Sequence, residues 1–527
     1  MRCERAPPSS RWSGSQAKLR PELRAPRFSI RGPHDGPEPA AIETHRFGRE
    51  VPDTTALIEI NVVFRLVRRV HSTAWLLLLV GSIAAWISLG RLHYIHNADS
   101  VVTVLVSLQH WTAFYWGQDR FGMLVPLIAM PIGHPLANML VQGWLTTVAA
   151  LLAPFLAARY LGAGRYWFAT GTLANAFFLV TFSDEFQFEW LVKQPYALSM
   201  SLAAASLLVA QRRGFAAAVA SMTLMLLAHW VNLTVLVIVV PLILVRRSFE
   251  GPSLCALGIG PAGGLLIRYL SNAPPFTRTE ILPIAQWPHA CFMLLRTTLG
   301  EVAHPRLFEV AVAVSAIAAT ALWIKPRHSE PLKAASIAVF VGCIYMSVSG
   351  TSLHVQLNHF MPRYVLPSVS LFGVAIALVL VASAGDRPKL VALAAVVALV
   401  TASVVSYGIP SVKRLRRTID SRFGMMTQQA LAAGATVIVG DYWTVWPAVF
   451  HANLALYERR STRRVFGLTY RSEVTDALWL SGGEAKQILV VGYQSDSSID
   501  AYLARIRLPV TFMGSSGKLA IYRISAD

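Results

Sequence analysis

Residues able to do chemistry gather in three stretches of this sequence. The first reads His93-Tyr-Ile-His-Asn-Ala-Asp99-Ser and resumes after an apolar run as Tyr115-Trp-Gly-Gln118-Asp119-Arg120-Phe-Gly122. The second is Ser183-Asp184-Glu185-Phe-Gln-Phe-Glu189-Trp, with Lys193 close behind, and the third is His354-Val-Gln-Leu-Asn-His359-Phe-Met-Pro-Arg363-Tyr364-Val-Leu-Pro367. Carboxylates accept protons, and guanidinium groups grip oxyanions. Each residue also has a plainer reading. Asp99 is a good N-cap for a helix over 100–111. Asp119 and Arg120 can form an exposed ion pair worth little. Asp184, Glu185 and Glu189 suit a solvated acidic loop, and Arg363 can snorkel to lipid headgroups. His93, His96, His354 and His359 have ligand-like spacing but are expected to pack at an interface.

The elements that must position these residues are apolar. Of 527 residues, 54% are hydrophobic and only 14% charged, against about 25% charged in an average soluble chain. This excludes a string of cytosolic domains and a disordered chain. Four cysteines, scattered through the sequence, imply no disulfide framework and no CxxC metal site. Runs long enough to cross the hydrocarbon core, about 20 residues each, are expected at 72–90, 136–157, 165–182, 195–211, 214–231, 232–246, 254–270, 307–324, 333–350, 364–383 and 389–407. Phe121–Ile132 is too short to span and reads as interfacial or re-entrant. Trp111, Trp116, Trp190, Trp230 and Trp287 fall where an aromatic belt is expected.

The formal net charge of +19 resembles a nucleic-acid signal, but its placement argues otherwise. Arg65, Arg68 and Arg69 precede the first run, and every second connection after it is short and basic, as at Arg159/Arg165, Arg212/Arg213 and Arg246/Arg247. By the positive-inside rule these are cytoplasmic, so no nucleic-acid partner is expected. The three reactive stretches then share the opposite side, and an odd number of spans puts residues 408–527 there too. Lys413, Arg414, Arg416, Arg417 and Arg422 run against that assignment, unless they meet lipid phosphates. Residues 1–58 are rich in Arg, Pro, Ser and Gly, contain no signal-peptide apolar region, and are expected to be disordered. The segment 59–407 reads as the membrane module. Beyond it, Ala435–Gly440 and Gln487–Gly492 read as strands, and Val510–Met513 with Leu519–Ile524 as a closing hairpin, giving a small α/β domain.

From about residue 70 onward the sequence resembles the GT-C class of integral-membrane glycosyltransferases, which use polyprenyl-phosphate sugars; aminoarabinose-transferase and protein O-mannosyltransferase-like enzymes belong to it. The resemblance rests on an acidic residue after the first span, a long first outer loop, ten or more spans and an outer C-terminal domain. Arg363-Tyr364-x-x-Pro367 is similar to an Arg-Tyr-Leu-Leu-Pro sequence opening a late helix in these enzymes, and Tyr115-x-Gly-Gln118-x-x-x-Gly122 to a loop in bacterial members. Many members have Asp-Glu after the first span, whereas Ser100 follows Asp99 here.

The resemblance implies an α-helical multi-pass protein of the bacterial inner membrane, with about eleven spans and a periplasmic α/β domain. It would transfer sugar from a polyprenyl-phosphate donor to a glycan, lipid or protein acceptor. Asp99, with Asp119, would be catalytic; Arg363, Arg120 and Lys193 would bind donor phosphate; Tyr115, Gln118 and His359 would contact substrate. Asp184 and Glu185 could hold a divalent ion, Mg or Mn, through carboxylate oxygens; no cofactor is otherwise expected. The other readings are a multi-pass transporter or lipid flippase, favoured by Arg268 and the Gly258–Gly264 segment inside one apolar run, and a surface-polysaccharide polymerase or ligase.

Overall fold

The computed structural model describes residues 73–90, 98–116, 121–193, 195–246, 250–271, 280–324, 329–384, 387–469, 489–493, 501, 503–504, 510–516 and 519–524. The expected disordered tail over 1–58, the loop residues Gln118, Asp119 and Arg120, the histidines His93 and His96, and the side chain of Lys193 lie outside them.

All eleven apolar runs fold as helices. The chain passes through α1 (Thr73–Gly90), α2 (Ala98–Leu108), the short α3 (Leu124–Ala129) and the long α4 (Pro135–Leu161). Next come α5 (Trp167–Thr181) and one-turn α6 (Asp184–Phe188), which runs into a π-helical turn at Glu189–Lys193. After these come α7 (Tyr196–Ala210), α8 (Phe215–Val231), α9 (Leu236–Arg246), α10 (Gly251–Leu270), α11 (Trp287–Gly300), α12 (Pro305–Ile324), α13 (Ser329–Gly350), one-turn α14 (Leu353–Leu357), α15 (Leu366–Ser383) and α16 (Pro388–Tyr407).

The expected count of eleven spans is not confirmed. Among the described residues, seven helical segments are long and apolar enough to cross a membrane, eight if α8 and α9 count as one span. Helices α5 and α7 have 15 residues each, or about 22 Å at 1.5 Å per residue, short of a hydrocarbon core of about 30 Å. They are apolar because they pack inside the bundle. The run at 165–182 loses its ends to a 3₁₀ turn at Gly164–Tyr166 and to extended Phe182. Helices α8 and α9 meet at 120°. Asn232 is extended there, and its side chain accepts the Thr234 N–H at 3.0 Å, capping the new start. The protein is a multi-pass, helical membrane protein in which several apolar helices serve as internal packing.

Past α16, Gly408 adopts φ 62, a left-handed value that glycine tolerates without strain, and α17 (Val412–Ala432) leads into the terminal α/β domain. There β1 (Val437–Gly440) and α18 (Tyr442–Glu458) precede β2 (Phe466–Thr469), β3 (Leu489–Tyr493), β4 (Val510–Ser516) and β5 (Leu519–Ile524). The sheet order is β2-β1-β3-β5-β4, parallel through the first three strands and antiparallel from β3 through β5 to β4. Strand β2, which the sequence reading lacked, is an edge strand held parallel to β1 from Val437/Phe466 to Gly440/Thr469.

One hydrophobic core lies among the membrane helices; a second joins α2 and the start of α4 to α17, α18 and β1. In it Trp446 is 1% exposed and lies 5.6 Å, ring to ring, from Trp116. Gly467 must be glycine for this, because a Cβ there would come within 2.5 Å of the Trp446 ring. Without a confirmed number of spans, parity does not set the side of the terminal domain. The shared core replaces it: α2 and the terminal domain stand on the same side.

Candidate active site at the bundle end

Asp99 sits in the first turn of α2, where the helix dipole favours a carboxylate. It does more than cap. Tyr442, in the first turn of α18, donates its hydroxyl to Asp99 Oδ1 at 2.8 Å. The Tyr115 hydroxyl lies 2.6 Å from that of Tyr442 and 3.5 Å from the same carboxylate oxygen. A 3.5 Å contact is marginal, and Tyr442 has already committed its proton, so the chain runs Tyr115 to Tyr442 to Asp99. Burial first, and then the neighbouring Tyr115 and Asp99, hold the Tyr442 phenol well above its ordinary pKa. Trp443, 42% exposed, packs its ring 5.2 Å from that of Tyr442. Asp441 caps α18 by accepting the Trp443 N–H at 2.9 Å, which fixes the turn bearing both aromatics.

Arg363 lies in the 3₁₀ turn Pro362–Val365 that opens α15. Its Nη2 donates to the Tyr364 hydroxyl at 3.2 Å, and that hydroxyl is hydrogen-bonded to His354 Nε2, also at 3.2 Å. The guanidinium also interacts electrostatically with Glu189 and Tyr196. Glu189 opens the π-helical turn and is buried; π turns recur at functional sites. Just before Arg363, His359 and Phe360 have φ 55 and 53, left-handed values that are costly for non-glycine residues. Thr297 holds this turn by donating to the Phe360 carbonyl at 2.7 Å, and Phe360 N–H reaches Val355 at 2.9 Å. His359 itself is exposed on the turn.

Phe121 joins the two groups. Its carbonyl accepts the Tyr115 N–H at 2.9 Å, and its ring meets that of Tyr196 edge-on at 6.0 Å. Gly122 donates to the Val231 carbonyl at 3.1 Å, tying this loop to the α8–α9 break. A Cβ on Gly122 would fall 2.4 Å from the Trp230 carbonyl oxygen, so only glycine permits the approach. Phe121 and Tyr196 thus link Asp99 and Tyr115, which lie against α18, to Glu189 and Arg363.

Other expected residues fall elsewhere or outside the described chain. Asp184 and Glu185 are exposed in the first turn of α6, behind the Ser183 cap. Among the described residues no three His, Cys, Asp or Glu side chains stand close enough together to hold a metal ion. Tyr442, Glu189 and Tyr196 complete the cluster. Glu189 was in view as part of an acidic loop, a motif that did not reveal its partner.

No protein-family model and no curated protein matches the sequence. The fold is similar to that of ArnT from Cupriavidus metallidurans in two crystal structures. With undecaprenyl phosphate bound, the TM-score is 0.46 at 12% identity, covering 86% of this chain and 98% of that one. In the apo state the TM-score is 0.33 at 14% identity, with the same coverage. Likeness at this level carries no residue-by-residue inference.

Proposed function

We propose that this protein is a membrane glycosyltransferase that moves a sugar from a polyprenyl-phosphate donor to an acceptor hydroxyl by inverting displacement. The observation supporting it is a tyrosine-held carboxylate linked, through Phe121 and Tyr196, to a guanidinium beside Glu189 and Tyr364. The acceptor oxygen attacks the anomeric carbon as the bond from that carbon to the phosphate oxygen breaks. Asp99 takes the acceptor proton, and the bonding electrons leave with the lipid phosphate. Positioned general bases contribute about 10²–10⁴-fold. Arg363 stabilises the departing phosphate, since a guanidinium binds its oxygens in bidentate fashion. The exposed Trp443 offers a face for the sugar ring. In this reading the site faces the periplasm from the bacterial inner membrane, with the N-terminus in the cytoplasm.

A transporter or flippase is the second reading, favoured by the 120° break between α8 and α9. Transporters place such breaks at the midplane. Here the break is tied through Gly122 to the loop that also carries Tyr115, so it belongs to the same site. The test is incubation of purified protein with a panel of polyprenyl-phosphate sugars, with and without chelator, while following lipid-phosphate release. Acceptor-dependent release is expected. Absence of release with every donor, together with lipid movement across proteoliposomes, would replace transfer by transport.

A further inference from the structure

A cleft of about 710 Å³ lies at the end of α2 away from Asp99, between the membrane module and the terminal domain. Asp99 is in the first turn of α2, whereas the cleft begins at Leu105 and extends past the helix end to Trp111. At 1.5 Å per residue the two sites are separated by about 9 Å or more along the helix, and packed core lies between them. Its floor is built: Gln109 Nε2 and Asn453 Nδ2 both donate to the Val465 carbonyl, at 2.8 and 2.7 Å. One wall is Trp111, fixed by a 3.1 Å hydrogen bond from Nε1 to the Met123 carbonyl and by edge-on packing against Trp230 at 6.4 Å. Tyr457, about half exposed, also lines it, its ring 4.9 Å from that of His134.

Charge decides what fits. Arg463 and Arg464 line the cleft beside Ser461 and Thr462, and among the described residues no carboxylate lines it. Arg459 and Arg460 precede them, and all four arginines are exposed. Among the described residues none of the four pairs with a carboxylate. The volume is that of a small-ligand site, two fixed aromatics offer ring faces, and guanidinium forks match phosphate and carboxylate oxygens. We infer that this cleft binds an anionic saccharide, a sugar bearing phosphate or carboxylate, independently of the Asp99 site. The sugar ring lies between Trp111 and Tyr457, and its anionic group meets Arg463 and Arg464. Exposed Met130 at the cleft and exposed Ile128 beside it also let a lipid-borne headgroup enter.

Isothermal titration of the full-length protein in detergent with glucose 1-phosphate, and with glucose as the neutral control, tests this. Nanodiscs of phosphatidylcholine with and without phosphatidylinositol test the lipid-borne source. Glucose 1-phosphate, or phosphatidylinositol in nanodiscs, is expected to bind at least about 10-fold more tightly than its neutral counterpart. Arg464→Glu should remove that preference and Tyr457→Ala should weaken both sugars, while Asp99→Asn binds as wild type does. Arg464 makes no hydrogen bond among the described residues, so an unchanged melting temperature accompanies its loss of binding. A preference found only with the soluble sugar assigns a free ligand, and one found only in nanodiscs a lipid-linked one. No preference in either setting, or full retention of it in Arg464→Glu, overturns the inference.

Discussion

Tyr442 keeps its proton at any pH the membrane meets, because burial and the adjacent Tyr115 and Asp99 raise its pKa well above the ordinary tyrosine value. It therefore donates to Asp99 throughout the neutral range. A raised folded-state pKa contributes stability that is fully present below the unfolded value, about 10, and is lost as pH rises through the folded value. The transfer rate of the wild type should show no alkaline limb from Tyr442 up to about pH 9, and thermal stability should fall only at still higher pH. Tyr442→Phe leaves the carboxylate without its main donor. Hydrogen bonds to charged groups contribute about 1.5–3 kcal/mol, so transfer should slow roughly 10- to 100-fold, measured at saturating donor. In the Asp99→Asn background the same change should cost little further. The Asp99 position was legible in the sequence from its place after the first apolar run. Its partner was not, because Tyr442 is 343 residues away along the chain and no local pattern links them.

The elements that hold these side chains are irregular where the chemistry is. The π-helical turn presents Glu189 toward Arg363, a 3₁₀ turn presents Arg363 itself, and the α8–α9 break receives the loop containing Gly122. Gly122→Ala would press a methyl onto the Trp230 carbonyl and should destabilise the protein by about 1–3 kcal/mol. Thermal unfolding in detergent would register this as a lower melting temperature, and transfer would fall as Tyr115 shifts. Every apolar run was visible as a helix from hydropathy. Which helices span was not, since α5 and α7 are as apolar as spanning helices and their 15-residue lengths are set by a 3₁₀ turn, by extended Phe182 and by the turn at Pro195. Asn232 was the local signal for the break, because a buried asparagine inside an apolar run needs a partner, and it finds one in the Thr234 N–H.

At the scale of the whole molecule, the terminal domain is part of the site. It supplies Tyr442 to Asp99, and its core is continuous with α2. Arg416, one of the basic residues that argued against an outer domain, is spent within it: the guanidinium binds Glu458 at 2.7 Å and Asp420 at 3.0 Å. Lys413, Arg414 and Arg417 remain exposed on α17. Trp446→Ala would leave a cavity between the domain and Trp116 and should cost about 3–5 kcal/mol. Limited proteolysis should then release the domain, with transfer lost in parallel. The α/β character of residues 435–524 was readable from its Gly-bounded apolar runs; its docking on α2 depends on side-chain fit that one sequence does not display.

The most direct measurement is single-turnover release of polyprenyl phosphate, with donor binding followed separately, in wild type, Asp99→Asn and Arg363→Ala. Asp99→Asn should slow release by about 10²-fold or more with donor affinity unchanged. Arg363→Ala should weaken donor binding by about 10-fold or more. Wild-type release by Asp99→Asn, or donor binding indifferent to Arg363→Ala, would contradict the account.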